Sequence, residues 1–188
     1  RNGAEFAKDL SAVRYQILDE DTSARDLTHF QRLRTLDFFV EFEDIELWEV
    51  LRISVWREVA AKVALIREGE ENRLFGVIVD GFVEVSIGGN AICRLGAGEV
   101  VGEMAYLHPT ENKRSATVVT LEPTFFLEIN SAALDLSSDE VLDRFHKTLT
   151  AKLLERMRAA NKALAKLGTA AVQGSGGGGG IDLELAPP

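Results

Sequence analysis

The sequence predicts an α+β fold: an antiparallel, jelly-roll-like β-roll with helices before it and a long amphipathic helix after it. Three observations carry this. Apolar residues recur at helical spacing before residue 51, short β-branched runs alternate with glycine turns from about 52 to 130, and residues 138–167 contain neither proline nor glycine.

Residues 1–37 read as an N-terminal helical extension. Ala4, Leu10, Val13, Ile17 and Leu18 fall near helical spacing, and Thr22-Ser23 can cap a second helix carrying Leu27, Phe30, Leu33 and Leu36. Residues 38–51 continue as helix, with Phe42, Ile45, Trp48 and Leu51 on one face. The β-roll, residues 38–137 with that lead-in, has candidate strands at 63–66, 75–79, 82–87, 91–95, 116–121 and 125–129. Glu68-Gly69, Asp80-Gly81, Gly88-Gly89-Asn90, Gly96-Ala97-Gly98 and Glu122-Pro123 separate them, which is the chemistry of tight turns. Many short strands joined by such turns argue for a roll rather than a parallel α/β sheet.

Residues 138–168 form the C-terminal helix, with Ser138 and Asp139 as its cap and Gly168 as its stop. Its stripe of Leu142, Phe145, Leu149, Leu153, Met157, Ala160, Leu164 and Leu167 is longer than a small domain covers. That points to a homodimer seam along the helix, with packing inside one chain as the alternative. Residues 169–188 read as a flexible Gly-rich tail, where Gly174, Gly176 and Gly179 match G-x-G-x-x-G without the strand and helix that would give the match meaning.

Composition narrows the function. With 46% hydrophobic and 27% charged residues the chain is globular, and no apolar run reaches the roughly eighteen residues of a membrane span. A net charge of −9 disfavours nonspecific nucleic-acid binding, which needs a concentrated basic surface, yet leaves room for one buried arginine to hold a small anion. No signal segment opens the sequence, and the expected location is cytoplasmic. The single cysteine, Cys93 between Ile92 and Leu95, reads as an inert core residue. His29, His108 and His146 are scattered without metal-ligand spacing, and neither a nucleophile elbow nor a Walker loop is present. No catalytic residue, metal or cofactor is therefore expected.

The informative segment is GEVVGEMAYLHPTENKRSATV, residues 98–118. Gly102-Glu103-Met104-Ala105, a variable stretch, then Arg114-Ser115-Ala116 resembles the phosphate-binding cassette of cyclic nucleotide-binding domains, the modules of catabolite-activator proteins and protein kinase A regulatory subunits. Upstream, IREGEENRLFGVIVDGFVEV is similar to that family's succession of strands and glycine turns, so the resemblance spans about residues 38–167. Either piece alone has a plainer reading, Arg-Ser-Ala-Thr being an ordinary strand edge; their order within a glycine-punctuated β zone gives them weight.

Physical logic agrees. The first amides of a short helix and its dipole favour an anion, Gly102 lets the backbone approach closely, and Arg114 offers a planar fork to phosphate oxygens. Glu103 beside an anion would be repelled unless it faced something else, and the resemblance implies the ribose 2′-hydroxyl. Ser115 can donate one more bond, and Ala116 is small enough not to crowd the sugar-phosphate. The sequence departs from the pattern in three places: Arg114 lies 11 positions after Glu103, extending the loop from His108 to Lys113; Val101 replaces an aromatic; and Lys113 stands where proline is frequent.

For the base, the family implies a contact from the C-terminal helix, where Arg156, Met157 and Ala160 fall. Arg156 can stack on a purine, or Arg156 and Arg158 can simply be solvated helix charges. The expected ligand is cyclic AMP, with cyclic GMP as the alternative, and the expected role is a sensor whose C-terminal helix moves with occupancy. Two other readings stand beside it: a β-roll without ligand serving as an interaction module, and the sensor half of a transcription regulator. The second would need a DNA-binding helix-turn-helix, and here a glycine linker and acidic tail follow the long helix, so no DNA binding by this chain is expected.

Overall fold

A computed structural model of the chain describes residues 24–108 and 113–174, and side chains through residue 166. Residues 24–34 form helix α1; the expected Thr22-Ser23 cap and the helix before it lie outside the described residues. Leu33 and Leu36 are buried, while Leu27 is exposed.

The continuous helix expected over 38–51 is corrected. Asp37–Phe39 is a single 3-10 turn, a second turn closed by the Phe42 N–H on the Phe39 carbonyl at 3.0 Å follows, and α2 spans Asp44–Ile53. Phe38, Phe39 and Phe42 enter the core from this irregular stretch, and α2 buries Leu47 and Val50 while Ile45 is 75% exposed. The start of α2 explains its orientation. Glu46, in the first turn, accepts the backbone N–H of Glu43 at 2.7 Å and pairs with Arg144 at 3.4 Å, so a carboxylate faces inward where the apolar spacing had placed Ile45.

Eight strands follow: β1 Ser54–Val59, β2 Ala64–Ile66, β3 Leu74–Asp80, β4 Val83–Ile87, β5 Asn90–Leu95, β6 Val100–Val101, β7 Thr117–Thr120 and β8 Thr124–Asn130. They build two four-stranded sheets, β1-β8-β3-β6 and β2-β7-β4-β5, with antiparallel pairing throughout. The antiparallel β-roll with flanking helices is thus the fold. Strands β1 and β6 had no sequence signal: β1 is a half-exposed edge carrying Arg57 and Glu58, and β6 has two residues.

The first sheet is covered on both faces, which is why β3 is buried almost continuously. Side chains alternate along a strand, so Phe75, Val77 and Val79 of β3 and Leu127 and Ile129 of β8 face a core shared with the helices, where Leu47, Val50 and Phe145 lie. Ile78 and Phe126 face the second sheet and meet Ile66, Val83, Val101 and Val118. Cys93 is corrected from core to exposed: β5 is the outer strand of its sheet, with a neighbour on one side only, and Ile92 beside it is exposed as well.

Two short helices complete this part, α3 (Glu103–Leu107) and α4 (Ser131–Leu134), the latter capped by the Asn130 side chain, which accepts the Ala132 N–H at 2.9 Å. The last helix, α5, runs Asp139–Gly174. Glu49 accepts both the backbone N–H and the hydroxyl of Ser138, at 2.6 and 2.7 Å, fixing where α5 begins.

The chain divides into two compact units between Leu149 and Thr150, and α5 contributes to each. In the first unit Val141, Phe145 and Leu149 are fully buried. In the second, Leu153 is half-buried, Met157 and Leu164 are 53% and 65% exposed, and Ala160 is exposed. Gly168 does not stop the helix: it costs about 1 kcal/mol relative to alanine, and the alanines of 159–171 are the best helix formers available to carry the chain through it. Among the described residues no helix is long and apolar enough to cross a membrane.

Candidate functional site

Gly102 opens the site. Its φ of 81° and ψ of 3° put it in the left-handed region, and it directly precedes α3. A Cβ here would lie 2.8 Å from Arg114 Nη1, 2.9 Å from Ile66 Cδ1 and 3.1 Å from the Leu74 carbonyl, so both conformation and space require glycine.

Arg114 is held in place from two directions. Its backbone N–H donates to the Glu70 carbonyl and its own carbonyl accepts the Gly69 N–H, both at 2.9 Å, so the Glu68-Gly69 turn after β2 grips the chain just before β7. Gly69 has a φ of 80°, which that turn needs. The guanidinium turns inward and is only 5% exposed; Nη1 donates to the Gly102 carbonyl at 2.9 Å and Nη2 to the Leu74 carbonyl. Burial pushes its pKa down, and the carboxylates of Glu103 and Glu70 pull the other way. A guanidinium nevertheless remains charged at any physiological pH, so the site holds a buried, permanent cation.

The remaining residues singled out from the sequence distribute as follows. Glu103, 4% exposed at the start of α3, stands near enough to Arg114 to stabilise its charge, so the two motif pieces meet although 11 positions separate them. Ala105 is buried, Met104 exposed, Ser115 exposed and Ala116 half-buried. Part of the extended loop between His108 and Lys113 lies outside the described residues. Arg156 is half-buried on α5 within the second unit, whereas the unit ending at Leu149 holds all the others. Among the described residues no cluster of His, Cys, Asp and Glu could hold a metal ion.

Sequence reasoning missed the backbone of the site. The Leu74 carbonyl and the Gly69-Glu70 turn position Arg114, yet a carbonyl leaves no mark on side-chain identity, and Glu-Gly announces a turn without saying what the turn grips. It also missed a polar contact behind the site, where Tyr106 of α3 meets His146 of α5 at 3.1 Å.

Residues 56–135 match the family model described as cyclic nucleotide-binding domain. The Pycsar effector protein PaPycTIR of Pseudomonas aeruginosa is 31% identical over 109 residues, covering 58% of this chain and 35% of that protein. The chain spans about a third of the length of curated relatives such as this one. Among solved structures, one described as Sp-2Cl-cAMPS bound to PKAR CBD2 superposes with a TM-score of 0.63 at 17% identity, over 75% of this chain and 92% of that one. The Thermus thermophilus catabolite activator protein gives 0.57 at 26% identity, over 70% of this chain and 62% of that one.

Proposed function

Residues 56–135 being a domain of the cyclic nucleotide-binding family, we propose that the chain is a sensor of cyclic AMP, with cyclic GMP the nearest competitor, and that it performs no catalytic step of its own. The observation that carries the reading is the closure of Arg114 onto the Gly102-Glu103 turn. A cyclic phosphate brings one negative charge and two exocyclic oxygens. The amides of Glu103, Met104 and Ala105 meet it at the head of α3, and the guanidinium, with five N–H donors of which two serve carbonyls, adds a charge-assisted pair. Glu103 accepts the ribose 2′-hydroxyl, Ser115 donates to the phosphate, and Ala116 leaves room for the sugar.

Occupancy passes to α5. A ligand shifts this helix only through a difference in affinity between two helix positions, and the phosphate-facing end of α3 supplies that difference. The exposed stripe of Met157, Ala160 and Leu164 supports a homodimer seam along α5. The location proposed is the cytoplasm, and the proposed role involves no DNA binding by this chain.

Titration calorimetry against cyclic AMP, cyclic GMP and cyclic dinucleotides tests the ligand, with binding expected to be tightest for cyclic AMP. Absence of heat with all of them favours the ligand-free interaction module instead. Light scattering at tens of micromolar tests the seam: a dimer is expected, monomeric when Leu153 and Met157 both become glutamate. A wild-type monomer with and without nucleotide removes the dimer from the proposal.

A further inference from the structure

Behind the phosphate-facing end of α3, one turn on, Tyr106 contacts two rings. Phe75 of β3 stacks with it at a centroid distance of 5.1 Å with planes 21° apart, and His146 of α5 does so at 5.8 Å and 20°. The Tyr106 hydroxyl and His146 Nε2 are 3.1 Å apart. Asp135, just past α4, is close enough for its carboxylate to act on this hydroxyl. Tyr106, His146 and Asp135 line a cleft of about 380 Å³ together with Arg73, Leu107 and Leu142.

Burial first, and Asp135 second, push the Tyr106 pKa up to about 12, so the hydroxyl keeps its proton at physiological pH. Toward His146 Nε2 the hydroxyl donates or accepts according to the imidazole tautomer, and either way the contact joins α5 to α3.

We propose that His146 is a positioning residue for nucleotide binding, acting through Tyr106 to hold α3 where its first amides meet the phosphate. This rests on the reading of the site given above. Helix α3 has only five residues, too few to be stable alone, so its placement depends on what grips it. Ala105 and Tyr106 are adjacent, which makes a shift of the Tyr106 ring a shift of the phosphate-facing amides as well.

The test is calorimetry of the full chain with cyclic AMP. His146→Leu and Tyr106→Phe should each weaken binding about three- to tenfold, and the double variant should be no worse than either single one. His146→Gln, whose amide can donate to or accept from the Tyr106 hydroxyl, should restore most of the affinity that His146→Leu loses. His146 and Tyr106 are at least partly exposed, and Tyr106→Phe keeps the stack, so these variants should fold. If His146→Leu binds as the wild type does, or more tightly, the positioning role is wrong while the site stands. If the wild-type chain binds none of the cyclic nucleotides, the reading of the site fails and the positioning role fails with it.

Discussion

The two faces of the first sheet bury different things. Toward the helices, Phe38, Phe39, Phe42, Phe75 and Phe145 form an aromatic group whose Phe145 ring lies within 5.3–6.4 Å of the other four, in mostly edge-on contacts. Toward the second sheet the buried apolar set is six residues, and beside it stand Arg114 and Glu103, both buried. The same strand serves both, because Val77 and Ile78 point in opposite directions. A dry, close-packed face can supply stability, while the thinner face tolerates buried charge and leaves room for an anion. Stability and recognition are separated here by the width of one sheet.

The sharpest way to break this comparison is Phe145→Ala. Truncating a fully buried ring should cost about 3–5 kcal/mol, read as a drop in the urea midpoint at unchanged slope. A loss under about 1 kcal/mol would mean that the aromatic face is not the main source of stability. Arg114→Ala is the counterpart on the other face. It should lower cyclic nucleotide affinity by about 2–4 kcal/mol, roughly 30- to 1000-fold, while moving the urea midpoint less than Phe145→Ala does. Unchanged titration curves would remove Arg114 from the site. Finer still is Glu103→Gln, expected to cost about 1 kcal/mol against the ribonucleotide and almost nothing against its 2′-deoxy analogue, which offers no hydroxyl to accept. Equal losses for both ligands would make Glu103 a residue that shapes α3 rather than one that reads the sugar.

These two faces were unequally legible before folding. Tight turns announced themselves through Asp80-Gly81 and Gly88-Gly89-Asn90, and the strands between them fell within a residue or two of their observed bounds. The helix-facing core was less readable, because Phe38, Phe39 and Phe42 reach it from a 3-10 turn and the turn that follows it, where no long periodicity operates. On α2 the spacing of Phe42, Ile45, Trp48 and Leu51 suggested a buried face, and a single first-turn glutamate outweighed it by bonding to Glu43 and Arg144. Gly168 illustrates the converse error: a helix breaker by propensity, overruled by its neighbours. Gly102 and Arg114 were visible as residue types. Only the fold shows that the glycine's missing Cβ is the space into which the guanidinium fits.

Two ring contacts also make the chain its own optical probe. The protein has two tryptophans, and both lie against α1: Trp56 stacks on His29 with centroids 3.9 Å apart and planes 7° apart, and Trp48 stacks on Phe30 at 4.8 Å. The indole N–H of Trp56 is enclosed and finds no acceptor among the described residues, so its emission should be blue-shifted relative to an indole bonded to water. Burial lowers the pKa of His29 and keeps the ring neutral near pH 7, and a neutral imidazole quenches an indole far less than a charged one. Intrinsic fluorescence therefore reports whether α1 sits on the sheet, at a wavelength and intensity set by two named pairs. Neither indole belongs to the phosphate-facing turn, so a spectral change on adding nucleotide would measure motion of the N-terminal helix and not occupancy itself.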